Sequence, residues 1–267
     1  MMVRWEVFKL LRQRRTFLGL GSAALVPLVF LAAVEIIGGG PEAGEAPFAA
    51  QLLGNGLVIP LVTLAFGSVV LLPLLTVLVA GDAVAGEVSG GTLKTILGRS
   101  VGRSGLFWSK AAAVGLYTLA VVGVFVGVGL AAGWLAIGFR PLAGLGGAPI
   151  PVGQVLALIV LGAGLVALPL LALAAFALLL SVATQNSVAS VVGGVVLILL
   201  LQLVSSLGLG GVLDPYLLTE QFSAWLNLMR EPIDWAPIVA SVWVSAAWAG
   251  VSLLAAWAVF VRRDVLS

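Results

Sequence analysis

Six long apolar runs, with nearly all the charge confined to the short stretches between them, limit what this chain can become. The runs cover residues 16–37, 56–80, 110–136, 154–180, 188–209 and 237–261. A helix advances 1.5 Å per residue, so about 20 apolar residues cross the hydrocarbon layer and each run suffices for one crossing. Strands are a poor alternative: the runs lack alternation, and only helices or closed barrels satisfy the backbone inside lipid. The chain therefore reads as an all-α membrane protein with six transmembrane helices.

Composition agrees independently. Hydrophobic residues make up 61% of the chain and charged residues 9%, against about 45–50% and about 25% in soluble domains. The runs consume most of the 267 residues, leaving a single transmembrane domain over 1–267 and no room for a soluble domain of ordinary size. With no cysteine and no histidine, disulfides, thiolate catalysis and the usual zinc sites are excluded. The first run is longer than the 7–15 apolar residues of a signal peptide, which points to a retained first helix.

Orientation follows from lysine and arginine. Arg4, Lys9, Arg12, Arg14 and Arg15 precede or open the first run, Lys94, Arg99, Arg103 and Lys110 follow the second, and Arg262 and Arg263 follow the sixth. Only Arg140 and Arg230 fall on the other side. The positive-inside tendency places both termini and residues 81–109 in the cytoplasm, in a multi-pass protein of the plasma membrane.

Between and before the runs, three segments have a pattern of their own. Val3, Val7, Leu10 and Leu11 recur at helical spacing, with Trp5 and Phe8 suited to the headgroup level, so residues 3–13 read as an amphipathic helix on the cytoplasmic leaflet. Residues 138–151 form a turn-rich external loop. In residues 210–236, Asp214 and Pro215 read as an N-cap and first turn. Leu218, Phe222, Trp225 and Met229 then recur at helical spacing, giving a short external helix on or in the outer leaflet. Inside the runs, Pro27, Pro60, Pro73 and Pro169 are expected to bend their helices. Gly123/Gly127 and Gly129/Gly133 form two Gly-x-x-x-Gly pairs that admit a close helix neighbour.

No ionisable residue falls in the middle third of any run, which argues against ion-coupled carriers and intramembrane proteases. Thr63, Ser68, Thr76, Ser190 and Gln202 are more suited to helix contacts than to a substrate path. Nucleotide motifs also fail. Residues 86–92 have glycines at the Walker spacing but lack the lysine that reaches phosphate, so this chain binds no ATP by itself.

The segment with most to say is 81–110, GDAVAGEVSGGTLKTILGRSVGRSGLFWSK. Gly90 and Gly91 break the chain, Thr92 can cap a short helix, and Leu93, Ile96 and Leu97 give that helix an apolar side flanked by Lys94, Arg99 and Arg103. Such a knob suits either a protein partner or burial in the leaflet.

Glu87, the run Gly91, Thr92, Leu93 and Lys94, then Ile96, Leu97, the stretch through Arg103, and Lys110 together resemble the membrane subunits of type 2 ATP-binding-cassette (ABC) exporters. Ser100 stands where many relatives have proline. The resemblance covers almost the whole chain and implies a permease that pairs in the membrane, as a homodimer or with a second permease. Its first, second and fifth spans would lie near the axis, and it would sit on two cytoplasmic ATPase subunits. Residues 92–97 would be the cytoplasmic coupling helix, with Glu87 and Arg103 orienting the loop. ATP and magnesium would belong to the partner, leaving no catalytic, cofactor or metal site on this chain. The charge-poor spans lean toward a hydrophobic or amphipathic substrate. The rival reading is a membrane scaffold or assembly factor that works with an ATPase without transporting solute.

Overall fold

The computed structural model describes residues 2–38, 54–91, 102–143, 149–208, 211–230 and 232–262. Among these the helices are α1 (Met2–Leu11), α2 (Arg14–Gly38), α3 (Val58–Gly67), α4 (Leu71–Asp82), α5 (Ala85–Ser89), α6 (Arg103–Ala136), α7 (Val152–Thr184), α8 (Ser187–Ser206) and α9 (Trp235–Arg262). Two 3₁₀ segments, Gly211–Tyr216 and Glu220–Met229, precede α9. In the loop after α6, Leu142–Ala143 (β1) pairs antiparallel with Pro149–Ile150 (β2), a short ladder that the turn residues had hidden. The five helices α2, α6, α7, α8 and α9 are long and apolar enough to cross a membrane. On that ground the chain is a multi-pass membrane protein.

The second apolar run is not one rod. It is divided into α3 and α4, bent by 55° at their junction. Pro73 explains the position of the break: in an unbroken helix it would lack its N–H and its ring would press on the carbonyl of Val69. The chain instead departs from helical geometry at Val70, with φ −129° and ψ −55°. Pro60 does not bend the run as expected, because it occupies the first turn of α3, where its missing N–H would have had no helical acceptor. Pro27 and Pro169 lie inside the continuous helices α2 and α7.

Two other boundaries move. α6 begins at Arg103, so Lys110 sits two turns inside it instead of opening it, and α7 continues to Thr184. The connection to α8 is made by Gln185 in the left-handed region, φ 53°. Asn186 follows as N-cap, its side-chain oxygen accepting from the Ala189 N–H at 3.1 Å.

A helix that is apolar on every side belongs in the interior, and α7 takes that place. It packs against α4, α6, α8, α9 and the second 3₁₀ segment, with Val166, Leu170 and Leu173 fully buried. The segment before α9 differs from the expected α-helix in type and in place. Asp214 and Pro215 lie within the first 3₁₀ segment and do not cap an α-helix. Leu218, Phe222 and Trp225 are buried against the bundle instead of facing the outer leaflet. The Gln221 amide holds the bend by donating to the carbonyls of Pro215 at 2.8 Å and Leu217 at 3.0 Å.

Only one of the two Gly-x-x-x-Gly pairs is used for packing. A Cβ on Gly133 would stand 2.1 Å from the Gly56 carbonyl oxygen, and one on Gly129 would stand 3.3 Å from Pro60, whereas Gly123 and Gly127 face open space. The start of α3 therefore lies directly on α6. It is held there by the Gly56 N–H donating to Gly138 at 3.0 Å and the Asn55 amide donating to Arg140 at 2.8 Å. Gly133→Ala should cost about 1–3 kcal/mol through overpacking and lower the thermal midpoint in detergent. Gly127→Ala should leave that midpoint unchanged or raise it. Equal midpoints for the two variants would contradict this contact.

Candidate functional site

At the basic end of the bundle the short helix α5 has no side-chain cap of its own. Its orphan amides are satisfied from another helix: the Ser181 hydroxyl on α7 accepts the N–H of Val84 at 3.1 Å and of Ala85 at 2.9 Å. This fixes α5 against the centre of the molecule and sets Glu87 facing α6.

Opposite it stands Lys110. Its ammonium is 2.5 Å from Glu87 Oε1, 3.2 Å from Glu6 Oε2 and 3.4 Å from the Ala83 carbonyl, which uses its three donors. Lys110 is 2% exposed and Glu6 5%. Lys9 of α1 pairs with the same Glu87 oxygen, and Arg15 of α2 pairs with Asp82 at the end of α4. Asp82 also accepts from the Ser187 hydroxyl at the start of α8. Gly86 makes room for that carboxylate, since a Cβ there would lie 2.4 Å from Asp82 Oδ2.

Three cations and three carboxylates thus balance. Removing an ion from water costs several kcal/mol unless its partners are well placed, so the mutual pairing is what permits these charges at this depth. Glu6, Arg15, Asp82, Glu87 and Lys110 surround one cavity of about 20 Å³, the size and polarity that suit a single water molecule. The cluster joins α1, α2, α4, α5, α6 and α8. Its arrangement is that of a positioning site: it pairs charges and fixes helices.

Glu87 lies within this cluster. Gly91 follows α5 with φ +68°, a conformation that favours glycine. Thr92, Leu93, Lys94, Ile96 and Leu97 fall outside the described residues. Arg103, in the first turn of α6, donates to the Val261 carbonyl of α9 at 3.3 Å. Sequence reasoning did not find Glu6, Asp82, Ser181 or Ser187 as members, and it counted Lys9 and Arg15 only as basic charges among several. One signal was present: Glu6 is the sole acidic residue before Glu35. Among the polar residues of the runs, the Ser190 hydroxyl donates across to Gly81 at 2.5 Å, and the Thr63 hydroxyl donates to Ile59 in its own helix at 2.7 Å. Both make structural contacts.

Residues 41–266 match a family described as a protein of unknown function, DUF2705. The chain belongs to that family. Among curated proteins none matches it. In this DUF2705 chain the matched span includes Asp82, Glu87 and Lys110, while Glu6, Lys9 and Arg15 precede it. The α1 and α2 contributions to the charge cluster therefore come from outside the matched span.

Proposed function

We propose that this DUF2705 chain is the membrane-spanning permease subunit of an ATP-driven ABC exporter. It has six crossings, α3 and α4 counting as one broken span, and both termini lie at the cytoplasmic face of the plasma membrane. Two separate ATPase subunits bind ATP and magnesium, and a second permease copy completes the transport path for a hydrophobic or amphipathic substrate. The observation that carries this reading is the buried charge cluster. It ties α5, which only Gly90 and Gly91 separate from Thr92, to α1, α2 and α6, so a displacement that a partner imposes on α5 is passed to several helices of the bundle at once. The exposed stripe Val188, Val192, Leu199 and Leu203 on α8 supports an apolar contact between two copies.

Co-expression with the cognate ATPase is the direct test. The expected result is a stable complex with two ATPase chains per permease dimer, in which substrate raises ATP turnover. Recovery of this chain as a stable assembly free of ATPase, from cells making both, contradicts the proposal.

A further inference from the structure

A groove of about 380 Å³ opens between α6, α7 and α9. Its walls are Trp108, Ala111 and Gly115 of α6, Ala175 of α7, and Ala249 and Leu253 of α9. The volume falls in the lower part of the usual range for small-ligand sites, roughly 300–1,000 Å³. Two turns of a helix about 10–12 Å across would need roughly 1,000 Å³, so a partner helix does not fit in it, whereas one alkyl chain does.

Among the described residues the groove has a charged rim at its basic end. Along α6, Arg103 lies about 8 Å below Trp108 and about 18 Å below Gly115, and along α9 Arg262 lies about 14 Å beyond Leu253, at 1.5 Å per residue. The Arg103 guanidinium bonds to the carbonyl of Val261, the residue before Arg262, which is exposed. The Trp257 indole N–H donates to the Ser104 hydroxyl at 2.9 Å and closes α6 onto α9 at this level. One leaflet contributes about 15 Å of hydrocarbon. A lipid phosphate at the two arginines therefore puts its acyl chain at the depth of the groove, with Trp108 at the headgroup boundary.

We propose that the groove is a binding site for one acyl chain of an anionic phospholipid from the leaflet at the basic end of the bundle, its phosphate held by Arg103 and Arg262. Basic pockets between membrane helices favour anionic headgroups. A zwitterionic lipid brings its own ammonium to the same two cations and gains less. The inference shares Arg103 with the transport proposal but needs neither an ATPase nor a second copy, and Arg262 and the groove formed by α6, α7 and α9 belong to it alone.

The test uses the full chain in phosphatidylcholine nanodiscs containing a trace of phosphatidylglycerol or phosphatidylcholine with a photoreactive acyl chain, the labelled residues being mapped by mass spectrometry. Val251 and Leu254, exposed on α9 outside the groove lining, give the labelling due to ordinary surrounding lipid. Phosphatidylglycerol should label the groove roughly tenfold more than these two α9 residues, and phosphatidylcholine should show no such preference. Filling the groove with Gly115→Leu and Ala175→Leu should abolish groove labelling and spare Val251 and Leu254. Arg262→Gln, at an exposed residue of the rim, should reduce the difference between the two lipids, and adding Arg103→Gln should erase it. Equal labelling of the groove and of Val251 and Leu254 by phosphatidylglycerol, equal labelling by the two lipids in the unaltered chain, or displacement of the label by millimolar inorganic phosphate would each overturn the assignment.

Discussion

Lys110→Met should lower the thermal midpoint of the detergent-purified protein by on the order of 10 °C. The substitution keeps the length of the side chain but leaves Glu6 and Glu87 buried with one cation fewer, and breaking a buried pair from one side costs about 3–5 kcal/mol. For a chain of this size each kcal/mol moves the midpoint by about 2–4 °C. Adding Glu6→Gln restores the balance of charge, so the double variant should recover a substantial part of the loss; a double-mutant cycle then reads the coupling between α1 and α6 directly. A single variant that melts within a degree of the unaltered protein would show that the ammonium is not buried among carboxylates.

On the proposed function, Leu93→Asp, and separately Ile96→Asp, should eliminate recovery of the ATPase with this chain, or eliminate substrate-stimulated ATP turnover in whatever complex remains. A carboxylate forced into an apolar contact costs several kcal/mol unless paired, and about 4 kcal/mol is already a thousandfold in affinity. Val212→Asp is the control: Val212 is 88% exposed in the first 3₁₀ segment, on the connection opposite residues 81–110, and a charge there should leave the complex intact. If the Leu93 and Ile96 variants hydrolyse ATP and transport like the unaltered protein, residues 92–97 do not couple the two subunits.

How far the sequence reached is seen by comparing Leu170 with Lys110. Leu170 belongs to an apolar run whose length and composition dictate a membrane helix from local information, and the same holds for α2, α6, α7, α8 and α9. Lys110 carries a local signal that points the wrong way. A charge beside an apolar run reads as the boundary of a span, yet its partners Glu87 and Glu6 lie 23 and 104 residues away, and no periodicity joins residues so distant. The break at Val70 was half legible: Pro73 marked the right run, while Pro60 in the same run carried the same mark without the effect. The 3₁₀ form of residues 220–229 was hidden by Leu218, Phe222, Trp225 and Met229, whose spacing is that of an α-helix, whereas the large apolar residues that the fold buries there, Phe222, Trp225 and Leu228, recur at every third position. For Glu87 the sequence supplied the residue through a resemblance, and the fold supplied the company it keeps.

The interruption between α3 and α4 makes the second apolar run mechanically unlike its neighbours. The Val69 N–H donates back to Phe66, and the regular ladder resumes only with Leu74 donating to Val70. Each half has its own mooring: α3 is tied at Asn55 and Gly56 to residues 138–140, while α4 is tied through Asp82 to Arg15 and Ser187. Where α6 and α7 carry a push from one membrane surface to the other as stiff rods, this run has its bending compliance concentrated in residues 68–70. A tilt imposed on α4 at the basic end is therefore absorbed at this break, and the opposite end of the bundle receives it through the unbroken helices packed on α4, chiefly α7 and α8.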